Sequence, residues 1–110
     1  MFKQLCLILI AAFIIPQGVS WKTWLNMWPD LEKIVACESN FNPKAVGDHG
    51  KSFGIFQIHL PAHKEVTKKQ ALDPYFSLAW AIEKYHNGEI GIWSCYHILI
   101  KKGEMPRFDL

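Results

Sequence analysis

Eleven uninterrupted apolar residues, Leu5 to Ile15, follow Lys3 and stop at Pro16, with the small residues Gly18 and Ser20 just beyond. A membrane-spanning helix needs roughly 20 apolar residues, so the run reads as the core of an export signal spanning residues 1–20, cleaved after Ser20. A retained anchor is the competing reading. Either way the remainder, residues 21–110, faces the outside of the cell: secreted, periplasmic or cell-wall associated, with no stable membrane insertion after signal removal. That remainder is one small domain, and a chain of this size often needs a covalent staple to offset its small core. Cys6 leaves with the signal. Cys37 and Cys95 remain, and an exported chain permits them to pair. Their bridge would close a loop of about 59 residues, worth roughly 4 kcal/mol in the loop-entropy account. Two buried reduced thiols are the alternative.

Along this domain the pattern is mostly helical. Pro29 and Asp30 suit a first turn, Leu31, Ile34 and Val35 repeat at helical spacing, and Pro43 forces an end by Asn42, which predicts a helix over Pro29–Ser39. Gly47, Asp48, His49 and Gly50 tolerate the positive φ of tight turns. With Ser52, Phe53, Ile55, Phe56 and Ile58 they predict a hairpin in an irregular sheet of two or three strands, packed beside that helix. Thr67 and Gln70 have capping-box spacing for a short helix over Lys68–Leu72. Asp73 and Pro74 open a longer one, which Gly88 ends. A last helix is expected over Gly91–Ile100, followed by a fraying tail from Lys101 to Leu110.

Two segments carry a resemblance. Glu38-Ser39-x-Phe41-x-Pro43 and, further on, Gly54-x-x-Gln57-Ile58 stand in the order and approximate spacing seen in the lysozyme and lytic transglycosylase superfamily. The chain looks most like soluble lytic transglycosylase and goose-type lysozyme domains. The likeness extends over about Leu31 to Trp93, with Asp73-Pro74 similar to the start of the family's later helix. It implies an α+β, mostly helical fold: a small lysozyme-like domain with a β-hairpin beside the helix carrying the catalytic acid. It also implies cleavage of the β-1,4 bond between N-acetylmuramic acid and N-acetylglucosamine in a peptidoglycan glycan strand, without cofactor. The chain lacks the extra helical segments of larger members. Chitin hydrolysis is the alternative within enzymes. A non-catalytic wall-binding module of a secretion or conjugation apparatus is the alternative outside them, and the presence of Glu38 argues against it.

Glycoside cleavage needs an acid for the leaving oxygen and stabilisation of an oxocarbenium-like transition state. Glu38 is the candidate acid. It falls in the last helical turn, where the dipole disfavours an anion, so stability alone is a poor reason for it. Asp48 is the only acid close enough in sequence to act as nucleophile, base or electrostatic partner. Gly-Asp-His-Gly is also good turn chemistry, and many lytic transglycosylases cleave with a single Glu, so a turn-forming Asp48 and a single-acid mechanism are the expectation. Ser39 and Ser52 are candidates to bond the acid or substrate, although Ser39 can equally close the helix end. The resemblance implies a substrate-binding role for Gln57. It implies one for Tyr85 as well, in a Tyr-His-Asn-Gly segment similar to the family's late Tyr-Asn-x-Gly, a motif that His86 interrupts.

Other readings are weaker. Five tryptophans and three tyrosines suggest sugar stacking, but most aromatics in a small domain must build the core. Trp80 and Trp93 are assigned there, whereas Trp21, Trp24 and Trp28 are left between core and groove. Gly50-Lys51-Ser52 resembles the end of a phosphate loop but lacks its first glycine. His59, His63 and Glu65 are spaced like metal ligands, yet Pro61 intervenes and a further ligand at family spacing is missing, so no metal is expected and the histidines read as solvated. Without Lys3 the domain carries eleven Lys and Arg against ten Asp and Glu. That balance says little about partners. The cluster Lys64, Lys68, Lys69 and the pair Lys101, Lys102 read as an ordinary solvated face, so no nucleic acid is expected as a partner, and a monomer is expected.

Overall fold

The computed structural model describes residues 18–106. The export signal expected over residues 1–20 falls almost wholly outside the described residues, as does the end of the tail. About half of the described residues are helical, and they pack with a three-stranded antiparallel sheet into a small α+β domain. No helix among them is long and apolar enough to cross a membrane.

The first helix, α1 (Trp21–Leu25), was not expected. Ser20 caps it, its hydroxyl accepting the Thr23 N–H at 3.3 Å, and Trp24 and Leu25 hold it by complete burial. Helix α2 (Pro29–Ser39) begins with Pro29 at its first position and has Asp30 and Glu32 in its first turn. Leu31, Ile34 and Val35 enter the core. It ends where Asn40 and Phe41 turn left-handed, at φ 52° and 62°. For a residue as large as Phe41 this conformation is rare and strained.

Three two-residue strands follow: β1 (Val46–Gly47), β2 (Ser52–Phe53) and β3 (Ile58–His59), in the order β1-β2-β3. The expected turn between β1 and β2 is present, with Asp48, His49 and Gly50 all at positive φ. Strands this short need outside support. Gly54 provides some of it: at φ 82° it lies so close to the next helix that a Cβ would fall 1.9 Å from the Ala71 carbonyl oxygen. Helix α3 (Lys68–Leu72) has the capping box predicted for Thr67 and Gln70, and α4 (Pro74–His86) starts behind an Asp73 cap on the Tyr75 N–H.

The helix expected over Gly91–Ile100 is divided. A single 3-10 turn, Ile90–Ile92, leads to an extended Trp93, and α5 (Ser94–Lys101) starts only after it. Trp93 is buried and donates its indole N–H to the Phe56 carbonyl at 3.0 Å. Seating that ring in the core breaks the helix and exposes the N-terminus of α5. The tail does not simply fray. Met105 is buried, and the Glu104 carbonyl accepts from Lys33 Nζ at 2.9 Å.

Trp80 and Trp93 are core, as expected. Trp24 joins them, while Trp21 and Trp28 are half-buried against the same core.

Candidate active site

Cys37 and Cys95 are disulfide-bonded, their Cα atoms 6.0 Å apart, and the bond clamps the end of α2 to the start of α5. Glu38 follows the first cysteine. Its Oε2 accepts the backbone N–H of the second at 3.3 Å and the Ser94 hydroxyl at 3.4 Å. The staple thus fixes both the acid and the amide that holds it. Trp93, at the N-cap of α5, makes no side-chain cap bond, so the Glu38 carboxyl takes that place at the positive end of the helix dipole.

Two effects oppose each other at this carboxyl. Burial, the largest, pushes its pKa up, and the negative charge of Asp48 adds a little; the bonds from Cys95 and Ser94 pull it down. The net direction is upward from the ordinary 4.5. The group therefore keeps its proton to a higher pH than a free glutamate while having two donors ready for the anion left when the proton goes.

Glu38 opens on a cavity of about 740 Å³ whose walls include Asp48, Gln57, His59, Trp93 and Ser94. The sequence candidates divide here. Asp48 and Gln57 line the cavity. Gln57, held at φ 47°, donates both amide hydrogens to backbone, to Gly54 O at 3.0 Å and Ala45 O at 3.2 Å. Its carbonyl oxygen lies against Gly47, where any Cβ would come within 2.4 Å of it. The side chain is thereby fixed at the cavity wall.

Ser52 is wholly buried and reaches the cavity only through its partners: its hydroxyl lies 2.5 Å from Asp48 Oδ2 and 3.0 Å from His59 Nδ1. Asp48 sits in the turn, as expected, and also accepts the Ser52 hydroxyl. Ser39 does not line the cavity. Its hydroxyl is spent on the Ile55 carbonyl at 2.8 Å and the Val35 carbonyl at 3.1 Å, closing the helix end and pinning it to the β2–β3 loop. Tyr85 is not brought to the cavity either. Its hydroxyl donates to Asp30 Oδ2 at 2.8 Å, and it borders a separate pocket with Met27 and Trp28. Trp28 meets the rings of both Tyr85 and His86 edge-on.

The histidines read as solvated are not free of structure. His59 is bonded to Ser52, and His63 packs edge-on against Trp80 with ring centroids 4.9 Å apart. Burial lowers the His63 pKa, against the nearby Glu65 carboxylate. Among the described residues no group of three or more His, Cys, Asp or Glu could hold a metal ion. Sequence reasoning missed Ser94, the Cys95 amide and His59. The two on α5 were hidden by the assumption of an unbroken helix. His59 was legible only through strand register, since the four-residue link 54–57 sets Ser52 opposite it.

No protein-family model, curated protein or solved structure matches the chain.

Proposed function

We propose that the protein is a peptidoglycan-cleaving glycosidase, acting as lytic transglycosylase or lysozyme on the β-1,4 bond between N-acetylmuramic acid and N-acetylglucosamine, with Glu38 as general acid. The observation that carries this reading is the Glu38 carboxyl, half-buried, raised in pKa, and lining one cavity with Asp48 and Gln57. The resemblance of the Glu38–Pro43 and Gly54–Ile58 segments to the lysozyme and lytic transglycosylase superfamily supports the choice of substrate.

In this mechanism Glu38 gives its proton to the bridging oxygen as the bond to the anomeric carbon breaks. The carboxylate that remains is met by the Cys95 N–H, the Ser94 hydroxyl and the dipole of α5, so charge appears where donors already point. The Gln57 carbonyl oxygen suits the N–H of an acetamido group. Mass spectrometry of products from purified peptidoglycan tests the proposal. Release of disaccharide muropeptides is expected, and anhydro and reducing ends, which differ by one water, identify the attacking group. Absence of release overturns the reading, and cleavage of chitin oligomers alone would transfer it to a chitinase.

A further inference from the structure

In the cavity that Glu38 lines, the sheet brings three side chains together by register. Gly47 pairs with Ser52 and Ser52 with His59, and Asp48 follows Gly47 at the start of the left-handed turn. The protons in this row can be assigned. An ionised carboxylate only accepts, and a hydroxyl has one proton to give. Ser52 therefore donates to Asp48, over 2.5 Å, a length typical of a charge-assisted bond. Its lone pair then accepts Nδ1–H from His59 at 3.0 Å. Neutral His59 is thereby held with its proton on Nδ1 and a lone pair on Nε2. Nε2 has no hydrogen-bond partner among the described residues, and the ring lines the cavity.

The order of this row excludes Ser52 as the nucleophile of a triad with His59 and Asp48. In a nucleophilic triad the imidazole lies between serine and carboxylate; here Ser52 lies between them, buried, with its proton committed. What the row presents to the cavity is an oriented imidazole nitrogen.

Resting on the glycosidase reading, we infer that His59 Nε2 is the general base that takes the proton from the oxygen attacking the anomeric carbon, with Ser52 and Asp48 as its positioning residues. The protons and electron pairs balance. Glu38 protonates the bridging oxygen, which keeps the electron pair of the breaking bond. The attacking oxygen, of water or of the sugar's own 6-hydroxyl, bonds to the anomeric carbon and its proton passes to Nε2. The imidazolium then has Asp48 Oδ2 as counter-ion, 3.8 Å from Nδ1. His59 releases a proton to solvent and Glu38 takes one up. The titratable and charged groups that line the cavity with the ring are Asp48, Glu38, His49, Lys51 and His63.

The test uses the purified full chain, with His59→Ala, His59→Gln and Ser52→Ala, each checked for folding by near-ultraviolet circular dichroism. His59→Ala should lose about 10²-fold in kcat with KM little changed, as for removal of a positioned base, and added imidazole should restore part of the rate. Ser52→Ala, which keeps the imidazole but frees its orientation, should lose about tenfold. Nitrogen-15 NMR should find the Nδ1–H tautomer of His59 in the wild type and in inactive Glu38→Gln, and a mixture in Ser52→Ala. If the alanine variant unfolds, His59→Gln carries the rate test. A folded His59 variant with wild-type kcat, a loss that imidazole does not relieve, or an Nε2–H tautomer in the wild type would each overturn the inference. Full activity without His59 leaves the glycosidase reading standing. A wild type that releases no muropeptide overturns that reading itself, and the role of His59 with it.

Discussion

The two walls of the cavity are built by different means. The Glu38 wall is made of helix ends: the last turn of α2 and the first of α5, joined by a disulfide beside the acid, with the carboxyl fixed by a backbone amide. The other wall is made of three strands of two residues each, shaped by left-handed turns at Asp48, His49 and Gln57 and held by hydrogen bonds and by burial of Phe53, Ile55, Phe56 and Ile58 rather than by a disulfide. Covalent closure and burial suit a group whose proton affinity must be displaced. The sheet wall needs orientation, which cross-strand bonds supply. The difference implies that damage to the first wall should change proton affinity and stability together, while damage to the second should change geometry.

Glu38→Gln is the sharpest way to break this contrast. The amide keeps the shape and loses the proton, so wall cleavage should fall by about 10² to 10⁴, with folding intact. Stability should respond to pH in a definite direction. Because the folded state binds the Glu38 proton more tightly than the unfolded state, wild-type stability declines as pH rises from the ordinary 4.5 through the raised folded value. The glutamine variant lacks this contribution and should gain on the wild type over that window. Wild-type activity should fall along the same rising limb, as the acid deprotonates. Denaturant melts and a pH–rate profile check both, and near wild-type lysis by the variant would remove Glu38 as the acid.

Next in size is the staple. Cys37→Ala and Cys95→Ala should each cost roughly 4 kcal/mol in the loop-entropy account, and the double variant should add little, because both remove one bond. Since the bridge also fixes the amide that meets Glu38, the pH–rate limb should shift in the same variants. Equal stability losses with an unmoved pH limb would show that α5 is held in place without the disulfide.

The helices were legible because their signals are local. Pro29 and Asp30, the Thr67–Gln70 box, and Asp73 with Pro74 each satisfy backbone donors within one turn, and those boundaries are found where the caps predict. Glu38 was legible for the same reason: its place in a final turn follows from α2 alone. What decides its chemistry was not, because the Cys95 amide is 57 residues away and is exposed only when Trp93 leaves the helix to reach Phe56. The sheet wall was half legible. Turn-forming residues marked Asp48, but the role of His59 depends on register, which no single segment contains. Ser39 and Tyr85 failed as cavity residues because their hydroxyls found protein acceptors, the Ile55 carbonyl and the Asp30 carboxylate, outside the reach of a motif.

Tyr85 yields the smallest expected effect and the finest test of where the acid wall ends. Its hydroxyl bonds Asp30 across the α2–α4 contact at 2.8 Å, and its pKa is raised by burial first and then by that bond and the Asp30 charge. Tyr85→Phe keeps the ring against Trp28 and removes one partly buried hydrogen bond, so it should cost about 1 kcal/mol of stability, read as a lower denaturation midpoint. Asp30 stays near solvent in the first turn of α2, where the helix dipole favours its charge, which keeps the loss from growing. Since Tyr85 borders the Met27–Trp28 pocket rather than the Glu38 cavity, kcat and KM should stay within about twofold of wild type. A tenfold fall in kcat, corresponding to about 1.4 kcal/mol of transition-state stabilisation, without a matching loss of stability would place Tyr85 in contact with substrate. The acid wall would then extend from the stapled helix ends onto α4.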